Sequence, residues 1–266
     1  MIGPTPLLDF FKRGEVARDV RLLAAQGGLA PRAHEQLAIL MVLKTDPDAE
    51  ISAAADVTLG RIPANALTAF LARSDVSADM RDFFAARGVF PADTPAADAE
   101  APLVDTEPAV VHDSAPAVVG EPVAAEPDRA SITQQLARMS FTDRLKSAVK
   151  GSREMRAVLI RDPNKMIAAA VLSSPKVTDQ EVETFARMAN VSEDVLRIIG
   201  GNRAWSKNYG VVAGLARNPK TPLALSMNLL NRLNDRDVQM ISMDRNVNGA
   251  LRIAARKKMV DAASKK

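Results

Sequence analysis

Apolar positions in the second half of the chain recur at helical spacing and restart in register at equal intervals. The restarts are Asp162, Asn190, Asn218 and Asn246, followed in turn by Pro, Val, Pro and Val. Five places on stands a large aliphatic residue, Ile167, Val195, Leu223 and Leu251, which is predicted to face a core. At 20 and 23 places come Val182 with Phe185, Gly210 with Ala213, and Val238 with Ile241, a second apolar stripe. Each block thus predicts two helices of about 10 or 11 residues joined by short turns.

Helix starts can be read as well. The restart residue is predicted to be an N-cap, because its side-chain oxygen can accept from an otherwise unpaired amide. Pro163 and Pro219 suit a first helical turn, where no N–H is required. Thr178 with Glu181 spells a capping box for the second helix of its block, and Asn234 with Asp237 is a weaker form of it. A fixed period of this length marks a helical solenoid, whose units bury their apolar faces only by stacking. The same grammar is fainter near the N-terminus: Asp19-Val20, Asp46-Pro47 and Asp75-Val76 follow one another at nearly the same interval, with Ile51 and Met80 at the fifth place after the second and third.

Residues 91–130 are of different material, rich in Pro, Ala, Val and acidic side chains, with no aromatic and no helical period. Such a stretch cannot bury enough apolar area to offset the entropy of ordering, and is expected to be a disordered tether. Ala109 to Val111 and Ala117 to Val119 are apolar islands within it, where a partner could take hold. The expected architecture is all-α: two short α-solenoid, HEAT/ARM-like domains, residues 1–90 and 131–266, joined by this acidic linker.

Charge sharpens the division. Residues 1–90 carry 10 basic and 11 acidic side chains, the linker 1 and 9, and residues 131–266 carry 24 and 12, so the chain's net +3 conceals a region at +12. A region of that charge attracts phosphate backbones, anionic surfaces or acidic proteins, and its own acidic linker is the nearest candidate. The chain has no Cys, which excludes disulfides and thiolate metal sites and leaves the cytoplasm as the expected compartment. The opening segment lacks the basic start and long apolar stretch of a signal peptide. The longest strongly apolar run, Leu37 to Leu43, is far short of a membrane span.

Residues that could carry chemistry are few. His34-Glu35 begins like a zinc-protease helix, but Ala38 stands where the second His belongs, and His112, the other histidine, lies in the linker. His34 is expected on a helix surface or edge. Glycine pairs 27–28 and 200–201 fit no phosphate-cradling pattern, and the carboxylate pairs Asp235 with Asp237 and Glu181 with Glu183 belong at helix starts. No cofactor, metal site or catalytic residue is predicted.

Two basic clusters are candidate binding surfaces. Arg203, Trp205, Lys207 and Tyr209 place the chain's single Trp and single Tyr at i and i+4 with cations interleaved. On an open helix face they would stack on a base or a guanidinium; at a helix junction the rings would fill a gap. Gly210 and Gly214 follow as a small-residue face that admits a neighbouring helix. Arg252, Arg256, Lys257 and Lys258 crowd the last helix, with Leu251, Ile253 and Ala254 expected on its core side.

The segments Arg161 to Lys165, Asn202 to Tyr209 and Asn218 to Pro222 resemble those of an uncharacterised family of bacterial helical-repeat proteins, similar in turn to HEAT-like and leucine-rich-variant repeats. The resemblance covers roughly residues 140–260 and implies an all-α repeat domain of unassigned activity. It also implies an acid between Arg203 and Trp205, where this chain has Ala204. The expected function is a non-enzymatic adaptor that contacts a protein partner through its repeat surfaces. The alternative is a module that binds nucleic acid or another anionic surface.

Overall fold

A computed structural model describes residues 5–96, 101–106 and 126–263 of the chain. The described residues are all-α, with no strand among them. Their helices are α1 (Pro6–Lys12), α2 (Arg18–Ala25), α3 (Ala33–Leu43), α4 (Ala49–Arg61), α5 (Ala64–Leu71), α6 (Ala78–Ala85), α7 (Glu126–Arg138), α8 (Phe141–Lys150) and α9 (Arg153–Leu159). There follow α10 (Lys165–Ser173), α11 (Asp179–Arg187), α12 (Glu193–Gly201), a 3-10 turn at Trp205–Lys207, α13 (Tyr209–Arg217), α14 (Leu223–Leu230), α15 (Asp235–Met243) and α16 (Gly249–Ala263).

The chain divides into two compact units, Met1–Leu159 with Ala169–Lys176, and Ile160–Ala168 with Val177–Lys266. This division does not follow the compositional boundaries at 90 and 130, because α7 to α9 group with the N-terminal helices. Polar ties hold them there: the Thr142 hydroxyl donates to Asp19 at 2.9 Å, and Lys150 pairs with Asp105. Counted on these units, the first carries 18 basic and 22 acidic side chains and the second 17 and 10, so the +12 of residues 131–266 becomes +7 in the second unit.

In the first unit α3 is central, packed by α1, α2 and α4. Ile51 and Met80 are buried, as their place in the faint repeat predicts. Of the segment expected as tether, residues 91–96 and 101–106 are pinned, and residues 126–130, for which no helix was expected, form the start of α7. The amides of Ala92 and Ala96 donate to the carbonyls of Thr68 and Ala69 on α5, and residues 101–106 are held by the Gln36 side chain. Composition could not foresee this, since the ties use backbone groups that every sequence has. Residues 97–100 and 107–125, with both apolar islands and His112, lie outside the described residues.

In the second unit α11 packs on α13, α13 on α14, α14 on α16 and α15 on α16. The helices run eight or nine residues from α11 to α15, shorter than predicted. The Thr178 and Glu181 capping box forms with both of its bonds, and Asn234 caps α15 through the Asp237 amide. The restart residues are not the N-caps. Cap oxygens belong to residues two places on, Asn164, Ser192 and Asn248, and likewise Asp48 and Ser77 in the first unit. Asp46, Asp162 and Asn218 instead accept from the amide two residues ahead, closing the turn that leads into the helix.

The strict period also slips. Helices α11, α13 and α15 begin at Asp179, Tyr209 and Asp235, and α12, α14 and α16 at Glu193, Leu223 and Gly249, so in both series a long step is followed by a short one. Relative to the even spacing of the restarts, two residues enter where the 3-10 turn separates α12 from α13, and two are lost between α14 and α15. Leu223 therefore stands at the first position of α14 with 38% of its surface exposed, and Leu225 takes its place, close over Gly200. In the other stripe Val212 and Leu215 are buried in place of Gly210 and Ala213. Ile167, Val195, Leu251, Val182, Phe185, Val238 and Ile241 are buried as predicted.

Asn218 is buried and fully used. Its amide nitrogen donates to the carbonyls of Ala186 and Met188, each at 2.9 Å, at the end of α11. Asn218→Ala is expected to cost about 2 kcal/mol, because two buried carbonyls lose their donor. Asn218→Asp, which keeps the size but cannot donate, should cost as much; urea unfolding of the two variants checks this.

Candidate interaction surface

The first predicted cluster is split by its own backbone. Residues 205–207 form the 3-10 turn, and Asn208 then caps α13 by accepting from the Gly210 amide at 2.8 Å. The change of helix type breaks the i, i+4 relation, since 3-10 and α turns advance by different angles per residue. Trp205 is buried, with the Asn202 side chain accepting from the amides of Ala204 and Trp205. Its ring is not presented to a ligand. Tyr209 begins α13 with its ring exposed, while its hydroxyl donates to the Asp237 carboxylate and accepts from the Asn234 amide. Partial desolvation and that donation to Asp237 hold the phenol above its ordinary range. Asp237 also receives Arg217 at 3.0 Å, so the tyrosine is a strut between α13 and α15. Arg203 and Lys207 are exposed on either side of Trp205.

The basic cluster on α16 is partly occupied with helix ends. Arg256 donates to the carbonyl of Ser242 at 3.2 Å, and Lys258 to that of Leu230 at 2.7 Å, near the C-termini of α15 and α14. Cations belong there, where unpaired carbonyls and the helix dipole are negative. Lys257 is exposed and Arg252 half-buried. Other cations of this unit are paired at the surface: Lys165 with Asp194, Arg187 with Glu183 and Arg197 with Glu193.

Exposed apolar side chains stand on three consecutive helices where none were predicted. Leu223 and Met227 on α14, Met240 and Met243 on α15, and Ile253 and Val260 on α16 are all exposed, the last two and Met243 by about two thirds of their surface. Within each helix the pair is spaced three, four or seven residues apart and so shares one face. Met227 and Ile253 each stand four places past the first residue of their helix, and so hold equivalent places on α14 and α16. Ile253 was expected on the core side; Leu251 and Ala255 hold that side, and Ile253 points to solvent. The missed signal was the run of methionines, which suit adaptable contact surfaces. Gly214 of α13 does admit α11, for a Cβ there would lie 3.0 Å from the Arg187 side chain and 3.3 Å from Ala186.

In the first unit, His34 and Glu35 are titratable groups shifted chiefly by burial. No set of His, Cys, Asp or Glu fit to hold a metal occurs among the described residues. His34 is half-buried rather than on a surface, its ring 6.5 Å from that of Phe70, and neither ring nitrogen has a hydrogen-bond partner. Burial lowers its pKa, a tendency opposed by Asp75 and helped by Lys12. The unfolded chain therefore binds a proton that the native His34 resists, and stability present above about pH 6.5 is lost as pH falls through that value. Thermal unfolding at pH 7.0 and 5.5 should show a lower midpoint at the acid pH for the native chain, and a smaller drop for His34→Phe.

Among the described residues no helix is long and apolar enough to cross a membrane. Comparison with protein-family models, with curated proteins and with solved structures finds no match to this chain.

Proposed function

We propose that the protein is a non-catalytic adaptor, built of two short helical-repeat arrays of α-solenoid type, that binds a protein partner through the exposed face of α14, α15 and α16. The observation that carries this reading is the set of six exposed apolar side chains on three consecutive helices. Removing such groups from water is the main favourable term in protein association, and several large exposed apolar side chains on successive helices are what such a contact would cover. The packing of α13 on α14 and α14 on α16 suits a stacked array, and the resemblance to bacterial helical-repeat proteins points the same way. Short solenoids of this kind act by presenting a surface.

Recognition of nucleic acid or another polyanion is the second reading, favoured by the +7 of the second unit and by exposed Arg203, Lys207 and Lys257. Against it, Trp205 offers no stacking platform, and several cations are already paired or seated on helix ends. Two variants separate the readings. Met243→Glu with Ile253→Glu should abolish recovery of a co-purifying protein at unchanged thermal stability, while Arg203→Glu with Lys257→Glu should leave it intact. The adaptor reading fails if both double variants recover the same proteins as the native chain. Tight, steeply salt-dependent binding of labelled single-stranded or duplex nucleic acid, lost only in the second pair, would establish the alternative.

A further inference from the structure

Residues 101–106 are held in a way that reads main chain more than side chains. Gln36, on α3 and almost completely buried, accepts through Oε1 from the amides of Leu103 and Val104, at 2.8 and 3.1 Å. Its Nε2 donates back to the Val104 carbonyl. One side-chain amide thus takes both amides of two successive residues, which point the same way, and one of their carbonyls, in a segment that bends at Leu103. Beside it, Gly27 has a φ of +80°, which glycine adopts at no steric cost, and it supplies the room that Val104 occupies. A Cβ on Gly27 would stand 3.3 Å from the Val104 side chain and 3.4 Å from that of Thr106. Thr106 donates to the Gln26 carbonyl at 2.7 Å, and Asp105 pairs with Lys150, whose side chain is only 10% exposed.

The sequence that begins with these residues has a second copy. Ala-Pro-Leu-Val-Asp-Thr-Glu-Pro, residues 101–108, returns as Ala-Pro-Ala-Val-Val-Gly-Glu-Pro, residues 115–122, with Ala, Pro, Val, Glu and Pro in the same places. The valine seated against Gly27 is kept, as Val118. The residues whose backbone Gln36 reads correspond to Ala117 and Val118, and their N–H and C=O groups do not depend on the change from Leu to Ala. What the second copy lacks is the carboxylate for Lys150 and the hydroxyl for Gln26, since Val119 and Gly120 stand where Asp105 and Thr106 do.

We infer that the groove formed by Gln26, Gly27, Gln36 and Lys150 is a docking site for segments of the pattern Ala-Pro-x-Val-x-x-Glu-Pro, and that residues 115–122 of this chain are its alternative occupant. The two copies compete for one groove, and the first wins by its ion pair and hydroxyl. Those two contacts make the second copy on the order of ten- to a hundredfold weaker. The inference is independent of the apolar face on α14 to α16.

The test uses the full chain with both copies disabled, Val104→Asp with Val118→Asp, after thermal unfolding shows that it remains folded. Labelled peptides of residues 99–110 and 113–124 are titrated into it and followed by fluorescence anisotropy. Both should bind, the second more weakly, and unlabelled copies of each should displace the other. Adding Lys150→Glu should weaken the first peptide about tenfold and spare the second, which has no carboxylate to lose; this variant leaves the buried Gln36 in place. In the chain carrying Val104→Asp alone, amide exchange at Ala117 and Val118 should slow at least tenfold relative to the double variant. Failure of either peptide to bind, or free-chain exchange at Val118 in that single variant, overturns the inference.

Discussion

Leu215→Asp is expected to unfold the second unit, and Leu223→Asp to leave it folded. Leu215 is completely buried on α13, so its replacement strands a carboxylate among aliphatic side chains. An unpaired buried charge costs several kcal/mol even after it neutralises itself by taking up a proton. That is comparable to the whole stability of a domain, about 5 to 15 kcal/mol. Leu223 opens α14 at the surface, where a carboxylate meets water and the positive end of the helix dipole, and the change should stay within about 0.5 kcal/mol. The strict register of the restarts demands the reverse, with Leu223 in the core and position 215 outside the stripe. Far-ultraviolet circular dichroism and urea unfolding of the two variants decide between the registers. A folded Leu215→Asp protein, or an unfolded Leu223→Asp protein, would refute the two-residue slip.

Glu35→Ala should cost the first unit about 3 kcal/mol, and Glu35→Gln much less. Helix α1 begins at Pro6, and its N-cap residue, Thr5, makes no side-chain cap bond. Glu35, reaching from α3, stands in for it: Oε1 accepts from the amides of Leu7 and Leu8 at 2.7 and 3.2 Å, with the Ser173 side chain against the same carboxyl. Removing the carboxyl leaves two buried donors unsatisfied, each worth about 1 to 3 kcal/mol, and opens a cavity besides. Gln keeps the acceptor oxygen.

The same group gives a pH signature. Burial pushes the Glu35 pKa above its ordinary value, against the opposing pull of its hydrogen bonds. Native Glu35 then keeps a proton that the unfolded chain has lost above about pH 4.5, so its contribution falls as pH rises through the interval up to the native pKa. This is opposite in sign to His34. Glu35→Gln should remove the fall, which unfolding midpoints measured from pH 4 to 8 would reveal. If Glu35→Ala melts with the native chain, the remote cap is not a source of stability.

The helix ends depart from the sequence pattern for one physical reason. At Asp46, Asp162 and Asn218 the short side chain closes a turn on the amide two places ahead, and that turn precedes the helix instead of capping it. Both roles want the same residue types, and sequence spacing alone does not separate them. Trp205 and Tyr209 show a similar limit. Four residues apart is a shared face only inside an α-helix, and a three-residue 3-10 turn followed by a new cap sends one ring into the core and leaves the other outside.

Sequence by itself determined the helical class, the pairing of helices into blocks, the Thr178 and Glu181 capping box and most positions of the two apolar stripes of the repeat, because helix periodicity and cap chemistry act over a few neighbouring residues. Tertiary structure alone decided the two-residue slip around α13, since a short insertion is compensated only where later helices find their packing partners. It also decided that Glu35 caps a helix remote from it in sequence, that Gln36 holds residues 103 and 104, and that Met243 and Ile253 face water. Each of these depends on which backbone groups and helix faces remain uncovered once the chain has packed, and no local pattern encodes that remainder.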